Sequence, residues 1–210
     1  MSPAPTAHAE SVDFVMLYII VIAVILLLGI TATMIYFVFK YNRKKGHKPV
    51  DIHGNIWLEI IWIAIPTVLV LSMFYFGYTS FRELREIPKD PLVIKVNARM
   101  WHFSFEYKNG KQSDTLYVPV NKAVDLEMES KDVNHAFYIP AFRIKEDIMF
   151  GKKTHLYFTP QVIDSYDVAC AEYCGLSHSA MYTKVKVLSG NDFYTWLNKT
   201  QQINNPGIVK

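Results

Sequence analysis

The sequence has few cysteines, and charged residues are missing from two long stretches of it. Only Cys170 and Cys174 occur among 210 residues, which argues against an iron–sulfur cluster, because such a cluster usually needs four cysteine ligands, with histidine replacing two at most. Charged residues make up 20% of the chain and the net charge is +3. Much of that excess lies in one short loop, so the composition does not indicate a nucleic-acid-binding protein.

Two blocks of the sequence contain no charged residue. They run from Phe14 to Phe39 and from Ile60 to Phe81, and a bilayer core needs about 20 apolar helical residues. Pro66 interrupts the second block, which a membrane helix tolerates. A buried core helix is the alternative, but two uncharged blocks of this length favour membrane spans. We predict a transmembrane hairpin over residues 1–82, with helices at about 14–39 and 57–81.

Basic residues lie between the two blocks and not before them. The loop carries Lys40, Arg43, Lys44, Lys45 and Lys48, whereas no Lys or Arg precedes the first block. By the positive-inside rule the loop is cytoplasmic and both termini lie outside. A cleaved signal peptide is the other reading of the first block, but a signal has an apolar region of only about 7–15 residues and a basic start. We expect an integral membrane protein with two spans.

The predicted outer domain, residues 83–210, reads mostly as short strands. Segments rich in β-branched and aromatic residues are separated by turn signals such as "KNGKQSD"; they are "LVIKVNARMWHFSFEY", "TLYVP", "AVDLEMES", "KTHLYFTP" and "YTKVKVL". This pattern is typical of an all-β sandwich or barrel. A helix is expected at "NDFYTWLNKT", with Asn191 as its N-cap.

Side chains with metal-binding donors are concentrated in "DVACAEYCGLSHSAMYTKV", where His178 and Met181 follow the two cysteines. Soft sulfur ligands select copper, zinc or iron–sulfur, and the combination of Cys, His and Met favours copper. A second thiolate four residues after the first could bridge two metals. A disulfide is the alternative in an oxidising compartment. A further histidine ligand must come from elsewhere in the outer domain, where the candidates are His102, His135 and His155.

The pattern C-x-E-x-C-G-x-x-H-x-x-M resembles the dinuclear copper centre called CuA, and two membrane blocks before a β domain resemble cytochrome c oxidase subunit II. The resemblance covers residues 14–199 or so. It implies an N-terminal two-helix transmembrane hairpin followed by an all-β cupredoxin-like sandwich. The copper ligands that it implies are Cys170, Cys174, the backbone carbonyl of Glu172, His178, Met181 and, through the D-V-x-H segment "DVNH", His135.

The resemblance implies the subunit through which electrons enter a terminal oxidase. Single electrons would come from cytochrome c, or from a cytochrome c domain, to CuA and pass to haem in subunit I, where oxygen is reduced to water with proton pumping. The chain has no C-x-x-C-H haem-attachment motif, so haem is expected only on the partner subunit. The expected partners are subunit I, subunit III and membrane lipid, in a bacterial plasma membrane or an organelle inner membrane, with the CuA domain on the outer, periplasmic side.

Three further residues take roles through the same resemblance. Trp101 in "RMWHFSFEY" corresponds to the indole that receives the electron on the outer face; a half-buried strand aromatic is the alternative. Glu59 in "EIIWIAIP" corresponds to a glutamate at the mouth of a proton path, and a helix-end carboxylate in water is the alternative. The side chain of Glu172 corresponds to a ligand of a magnesium ion between the subunits.

The sequence departs from the family pattern at several positions. Phe103 replaces a second tryptophan and His102 a tyrosine. The usual D-x-x-P-G-R reads "DIMFGK", with Phe150 in place of proline and Lys152 in place of arginine. Lysine is a poorer bidentate partner than arginine, which puts in question the contacts expected with subunit I and its haem propionates.

Other functions share parts of this pattern. The CuA subunit of a nitric oxide reductase has the same features. A quinol oxidase subunit II lacks the copper ligands that are complete here. A membrane-tethered copper-delivery protein also uses C-x-x-x-C and a distant histidine, but it has one anchor and no H-x-x-M.

The segment "VDLEMES" alternates apolar and acidic residues, as a strand with one face in the core and one in water would. Asp125, Glu127 and Glu129 would then face water, and Asp132 follows them. These carboxylates are a candidate docking face for a basic cytochrome, and a solvated strand face is the alternative. Residues 82–210 hold 17 Lys and Arg against 15 Asp and Glu, so any such attraction must be local.

Overall fold

The structure, a computed structural model, describes residues 4–46, 48, 51, 53–87 and 89–199. The chain divides into two compact units: Ser11–Arg82 forms one, and Glu83–Lys210 together with Met1–Glu10 forms the other. The first unit is a helical hairpin and the second is a β domain.

The hairpin consists of α1 (Ala7–Lys40) and α2 (Ile56–Arg85), and both helices are long and apolar enough to cross a membrane. Each begins before its uncharged block, where a polar side chain caps its first turn. The Thr6 hydroxyl accepts the Ala9 N–H at 3.0 Å, and the Asn55 side chain accepts the N–H of Trp57 at 3.0 Å.

The described part of the outer unit holds ten strands and a terminal helix: β1 (Leu92–Arg99), β2 (His102–Tyr107), β3 (Gln112–Ser113), β4 (Leu116–Pro119), β5 (Val124–Ser130), β6 (His135–Ile139), β7 (Ile144–Ile148), β8 (Thr154–Phe158), β9 (Ser165–Cys170), β10 (Tyr182–Leu188) and α3 (Gly190–Asn198). The strands form two five-stranded sheets, ordered β3-β2-β1-β5-β8 and β4-β10-β9-β6-β7. The expected hairpin followed by an all-β sandwich is confirmed.

The core lies between the two sheets and follows from the two-residue period of their strands. In β2, Phe103, Phe105 and Tyr107 point inward and are buried. The Tyr107 hydroxyl donates to the Tyr117 carbonyl at 2.9 Å and accepts the Tyr117 N–H at 2.7 Å. Because β2 and β4 belong to different sheets, this pair of hydrogen bonds ties the two layers together.

Two local predictions were wrong in detail. The segment that reads as one long strand, "LVIKVNARMWHFSFEY", folds back at Met100 and Trp101 into the antiparallel pair β1–β2. The N-cap of α3 is Ser189, whose hydroxyl accepts the Asp192 N–H at 3.2 Å, and not Asn191. A hydroxyl side chain that reaches the third helical N–H caps as effectively as an asparagine would, so the helix begins earlier than expected.

The acidic face predicted for β5 is not an open one. The strand lies between β1 and β8 within its sheet, and Asp125 is only 8% exposed and hydrogen-bonds with His155 at 3.0 Å. Glu127 pairs with Lys153 at 2.5 Å, and Glu129 pairs with Lys131 at 2.8 Å. Each carboxylate of the strand therefore already has a cationic or hydrogen-bonding partner within the domain.

Candidate metal centre

The candidate centre is built by the loop between β9 and β10, closed by the first residue of β6. The Cys170 N–H donates to the Met181 carbonyl at 3.0 Å, and the Met181 N–H donates to the His178 carbonyl at 3.1 Å. A short 3-10 turn at His178–Ala180 lies between these bonds. The loop therefore folds back on itself and brings the two ends of the motif together, while His135 approaches from the neighbouring strand β6.

The donor atoms form a continuous chain of near neighbours. The two cysteine sulfurs are 3.8 Å apart. Cys170 Sγ lies 3.9 Å from His135 Nδ1 and 3.3 Å from the Glu172 carbonyl oxygen. Cys174 Sγ lies 3.6 Å from His178 Nδ1 and 3.8 Å from Met181 Sδ. Each sulfur thus has one imidazole nitrogen and one weaker donor beside it.

The donor set lies in the protein interior. His135 and Met181 are fully buried, Cys174 is nearly so, and both cysteines are free thiols. Burial, together with the neighbouring Cys170, raises the pKa of the Cys174 thiol to about 11. A protonated thiol must lose its proton when a metal binds. Two soft sulfur donors flanked by imidazoles and a thioether, with no disulfide between them, fit copper.

The structure separates the three candidate histidines. Among the described residues, His135, Cys170 and Cys174 form the group whose ligand atoms all lie within 4.8 Å of one another. His102 pairs with Asp114 at 3.0 Å, and His155 pairs with Asp125. Of these three candidates, His135 is therefore the one placed against a cysteine, as the D-V-x-H pattern implies.

Asp132 links the metal loop to another part of the domain. Its Oδ1 lies 2.8 Å from His135 Nε2, and its Oδ2 accepts the Met100 N–H at 2.6 Å. Partial burial alone would raise the pKa of Asp132, but hydrogen bonds from Met100, His135 and Val133 outweigh it and hold the pKa below its usual range. With Nε2 turned toward this carboxylate, His135 presents Nδ1 to Cys170.

Trp101 lies in the β1–β2 turn and packs beside the metal loop. Its side chain is exposed, with 38% of the residue surface accessible. A β-carbon placed on Gly175, the residue after Cys174, would lie 3.4 Å from Trp101 Nε1 and 3.6 Å from Met100 Sδ. The indole therefore has one accessible surface and one surface next to the metal loop.

The remaining predicted residues are placed as follows. The Glu172 side chain is half exposed, and its carboxylate lies 3.7 Å from Lys145 Nζ, which also lies 3.4 Å from Asp147. Phe103 is buried and packs edge-on against Phe137, away from the surface. Phe150 is 64% exposed. Glu59 lies in the first turn of α2, in the other unit.

Comparison with known proteins decides the family. The protein-family model described as cytochrome C oxidase subunit II, transmembrane domain, matches residues 1–82. A second family model, described as cytochrome C oxidase subunit II, periplasmic domain, matches residues 111–188. The chain belongs to the cytochrome c oxidase subunit II family. The resemblance drawn from the sequence motif is thus confirmed, and the two apolar helices are those of a membrane protein with two spans.

Individual members of the subunit II family resemble the chain over most of its length. It is 27% identical to cytochrome c oxidase subunit 2 of Synechocystis sp., covering 94% of this chain and 74% of that one. It is 24% identical to cytochrome c oxidase subunit 2 of Cereibacter sphaeroides, covering 95% and 79%. The crystal structure of the periplasmic domain of cytochrome oxidase subunit II from Bradyrhizobium japonicum is 28% identical, covers 53% of this chain and 94% of that one, and has a TM-score of 0.50.

These comparisons bear on the competing functions. Since the matching proteins are cytochrome c oxidase subunits, the chain is assigned to the oxidase subunits through which electrons enter, and the nitric oxide reductase alternative is not favoured. Its cupredoxin-like sandwich and two spans also differ from a singly anchored copper-delivery protein. Membership of the subunit II family implies copper in the outer domain.

Proposed function

We propose that this subunit accepts single electrons from cytochrome c at a dinuclear copper centre and passes them to haem in the partner subunit I of a proton-translocating terminal oxidase. The observation that carries the proposal is the pair of free, buried thiols 3.8 Å apart, each beside an imidazole nitrogen. The donor set holds more sulfur than a mononuclear copper site uses, and two thiolates can bridge two metals.

The residues that would hold the copper pair in this proposal are Cys170 and Cys174 through their thiolates, His135, His178, Met181 and the backbone carbonyl of Glu172. The copper pair, when bound, supplies a site that takes up and gives back one electron with the change of charge spread over several atoms. The protein keeps water away from the site by burying His135, Cys174 and Met181. Rigid ligands in a dry cavity rearrange little when the charge changes, which suits an electron relay.

Trp101 is the proposed point at which the electron arrives. Its accessible face can meet a donor, and the loop residue beside it, Gly175, adjoins the ligand Cys174. Haem is assigned to subunit I alone. The donor is a separate cytochrome c or a cytochrome c domain.

We further propose two roles at the edges of the subunit. The Glu172 carboxylate would supply one ligand to a magnesium ion shared with subunit I, since Mg²⁺ prefers carboxylate oxygens; its pairing with Lys145 would have to open. Glu59 would lie at the cytoplasmic mouth of a proton path. The membrane is a bacterial plasma membrane or an organelle inner membrane, with both termini and the copper domain outside and subunit III as a further neighbour.

Counting copper in the purified full-length chain tests the central proposal. The parent should hold two copper ions per chain and show a purple, mixed-valence spectrum. Cys170→Ser or Cys174→Ser should abolish that spectrum, because each removes one of the two thiolates that would hold the copper pair. His135→Asn should also abolish it.

Two matched controls accompany this test. His102→Asn and His155→Asn also break carboxylate–imidazole pairs of the outer domain, yet both should keep the spectrum and the copper count. A parent chain that holds one copper or none would contradict the proposal, and so would a His135→Asn variant with an unchanged spectrum.

A further inference from the structure

Asp132 occupies a position that no ligand role explains. It lies in the connection between β5, a strand of the first sheet, and β6, a strand of the second. The Asp132 N–H donates to Ser130 Oγ at 3.2 Å, and the Val133 N–H donates to Asp132 Oδ1 at 2.6 Å. The carboxylate is thus fixed by its own loop before it contacts anything else.

The two carboxylate oxygens of Asp132 contact two different functional segments. Oδ1 faces His135 Nε2 at 2.8 Å, and Oδ2 accepts the Met100 N–H at 2.6 Å. His135 begins a strand of the sheet in which β9 ends at Cys170, whereas Met100 and Trp101 form the β1–β2 turn of the opposite sheet. Asp132 therefore spans the two layers at the point where the proposed electron path crosses between them.

We propose that Asp132 is a positioning residue that fixes the Trp101 turn relative to the ligand His135. One oxygen holds the His135 ring with Nδ1 toward Cys170, and the other holds the backbone of the residue before Trp101. The proposal rests on the proposed function for the roles of His135 and Trp101. Both Asp132 oxygens are engaged within the domain.

Two substitutions separate the contacts. Asp132→Ala removes both acceptors. Asp132→Asn leaves one acceptor oxygen. The amide can therefore accept a hydrogen bond from the Met100 N–H or from His135 Nε2, but not from both. The matched control is Asp125→Asn, because Asp125 is a buried carboxylate that also pairs with a histidine, His155, but touches no proposed ligand.

The contacts of Asp132 with Met100 and His135 can both be measured in the whole chain without copper. Amide hydrogen exchange reports the Met100 N–H, and nuclear magnetic resonance of the His135 ring reports which nitrogen carries the proton. In Asp132→Ala the Met100 amide should exchange about tenfold faster, and the fraction of His135 protonated at Nε2 should fall. Asp132→Asn should shift one of the two signals, and Asp125→Asn should shift neither.

Copper loading adds a third readout. The loaded Asp132→Ala variant should show altered hyperfine splitting, whereas the Asp125→Asn variant should keep the parent's. Parent values for either copper-free signal in Asp132→Ala, or for both in Asp132→Asn, would overturn the proposal. A parent chain that takes no copper would instead contradict the proposed function, while the two copper-free signals still decide whether Asp132 positions both segments.

Discussion

At the scale of single residues, the contact between Gly175 and the Trp101 side chain makes a sharp prediction. Gly175 has φ +117°, a conformation that side chains with a β-carbon rarely adopt. Gly175→Ala should cost roughly 1–3 kcal/mol of stability through backbone strain. It should also displace the indole, so that electron uptake from the donor slows more than electron transfer out of the subunit. Thermal unfolding and stopped-flow kinetics measure the two effects.

Gly110→Ala is the control for this prediction. Gly110 also has a positive φ, +81°, but a β-carbon there would meet nothing within 4 Å. The Gly110→Ala variant should lose stability through backbone strain, but its electron uptake should be unchanged. If the two variants behave alike in kinetics, then contact with Gly175 does not position Trp101.

The residues of the metal motif could be predicted from the sequence because their donors are adjacent along the chain. The choice of His135 needed the family pattern, since residue chemistry alone left His102 and His155 equally open. The role of Asp132 was out of reach, because Met100 lies 32 positions away from it in the sequence. A carboxylate reads as a surface charge until the structure shows which groups surround it.

At the scale of secondary-structure elements, strand β5 illustrates how ion pairs alter a pattern-based reading. Lys153 holds the pKa of Glu127 below its usual range through a side-chain hydrogen bond. A lowered folded-state pKa gives stability that is present above the ordinary carboxyl pKa, about 4.3, and is lost as the pH falls through the folded value. Glu127→Gln should therefore lower the melting temperature slightly near pH 7, and the difference should close below about pH 4.

Removing the carboxylates of β5 also tests whether this strand docks the electron donor. Since Glu127 and Glu129 are already paired with lysines, changing both to glutamine should leave the apparent KM for the proposed donor, cytochrome c, and the salt dependence of that KM nearly unchanged. Glu106→Gln is the control; Glu106 belongs to the same sheet and pairs with Lys95 at 3.3 Å. A rise in KM at low salt that is confined to the double variant would restore the strand as a docking face.

Element prediction from the sequence succeeded where periodicity was clear and failed at a tight turn. The apolar alternation of β5 and β10 was sufficient to identify them as strands. The β1–β2 turn was missed because Met100 and Trp101 are not turn formers, and nothing in their chemistry interrupts the strand pattern. Since that turn carries Trp101, its location determines how the indole meets the metal loop.

At the scale of the whole molecule, Glu59 tests whether the membrane unit conducts protons. Its carboxylate lies beside Gly54, where a β-carbon would come within 3.1 Å of Oε1. Glu59→Gln keeps the shape but cannot carry a proton, so turnover should fall while the copper spectrum stays intact. Oxygen consumption and proton uptake in reconstituted vesicles measure this.

Glu83→Gln, near the opposite end of the same helix, is the control for Glu59 and should leave proton uptake unaffected. Unchanged uptake in Glu59→Gln would remove that residue from the proton path.

The division into hairpin and sandwich could itself be predicted from two uncharged blocks and short strands. The pairing order of the sheets could not, because it depends on contacts between distant strands.

The grouping of residues 1–10 with the outer unit has a consequence for how the chain is made. The Pro5 carbonyl accepts the Gln161 N–H at 2.8 Å, and Thr6 and Ala9 are buried. Ribosomes synthesise Pro5 long before Gln161, and the whole helical hairpin is made between them. Pro5 and its neighbours therefore wait for their partner until Gln161 has been made, and their docking closes a loop that contains both membrane helices.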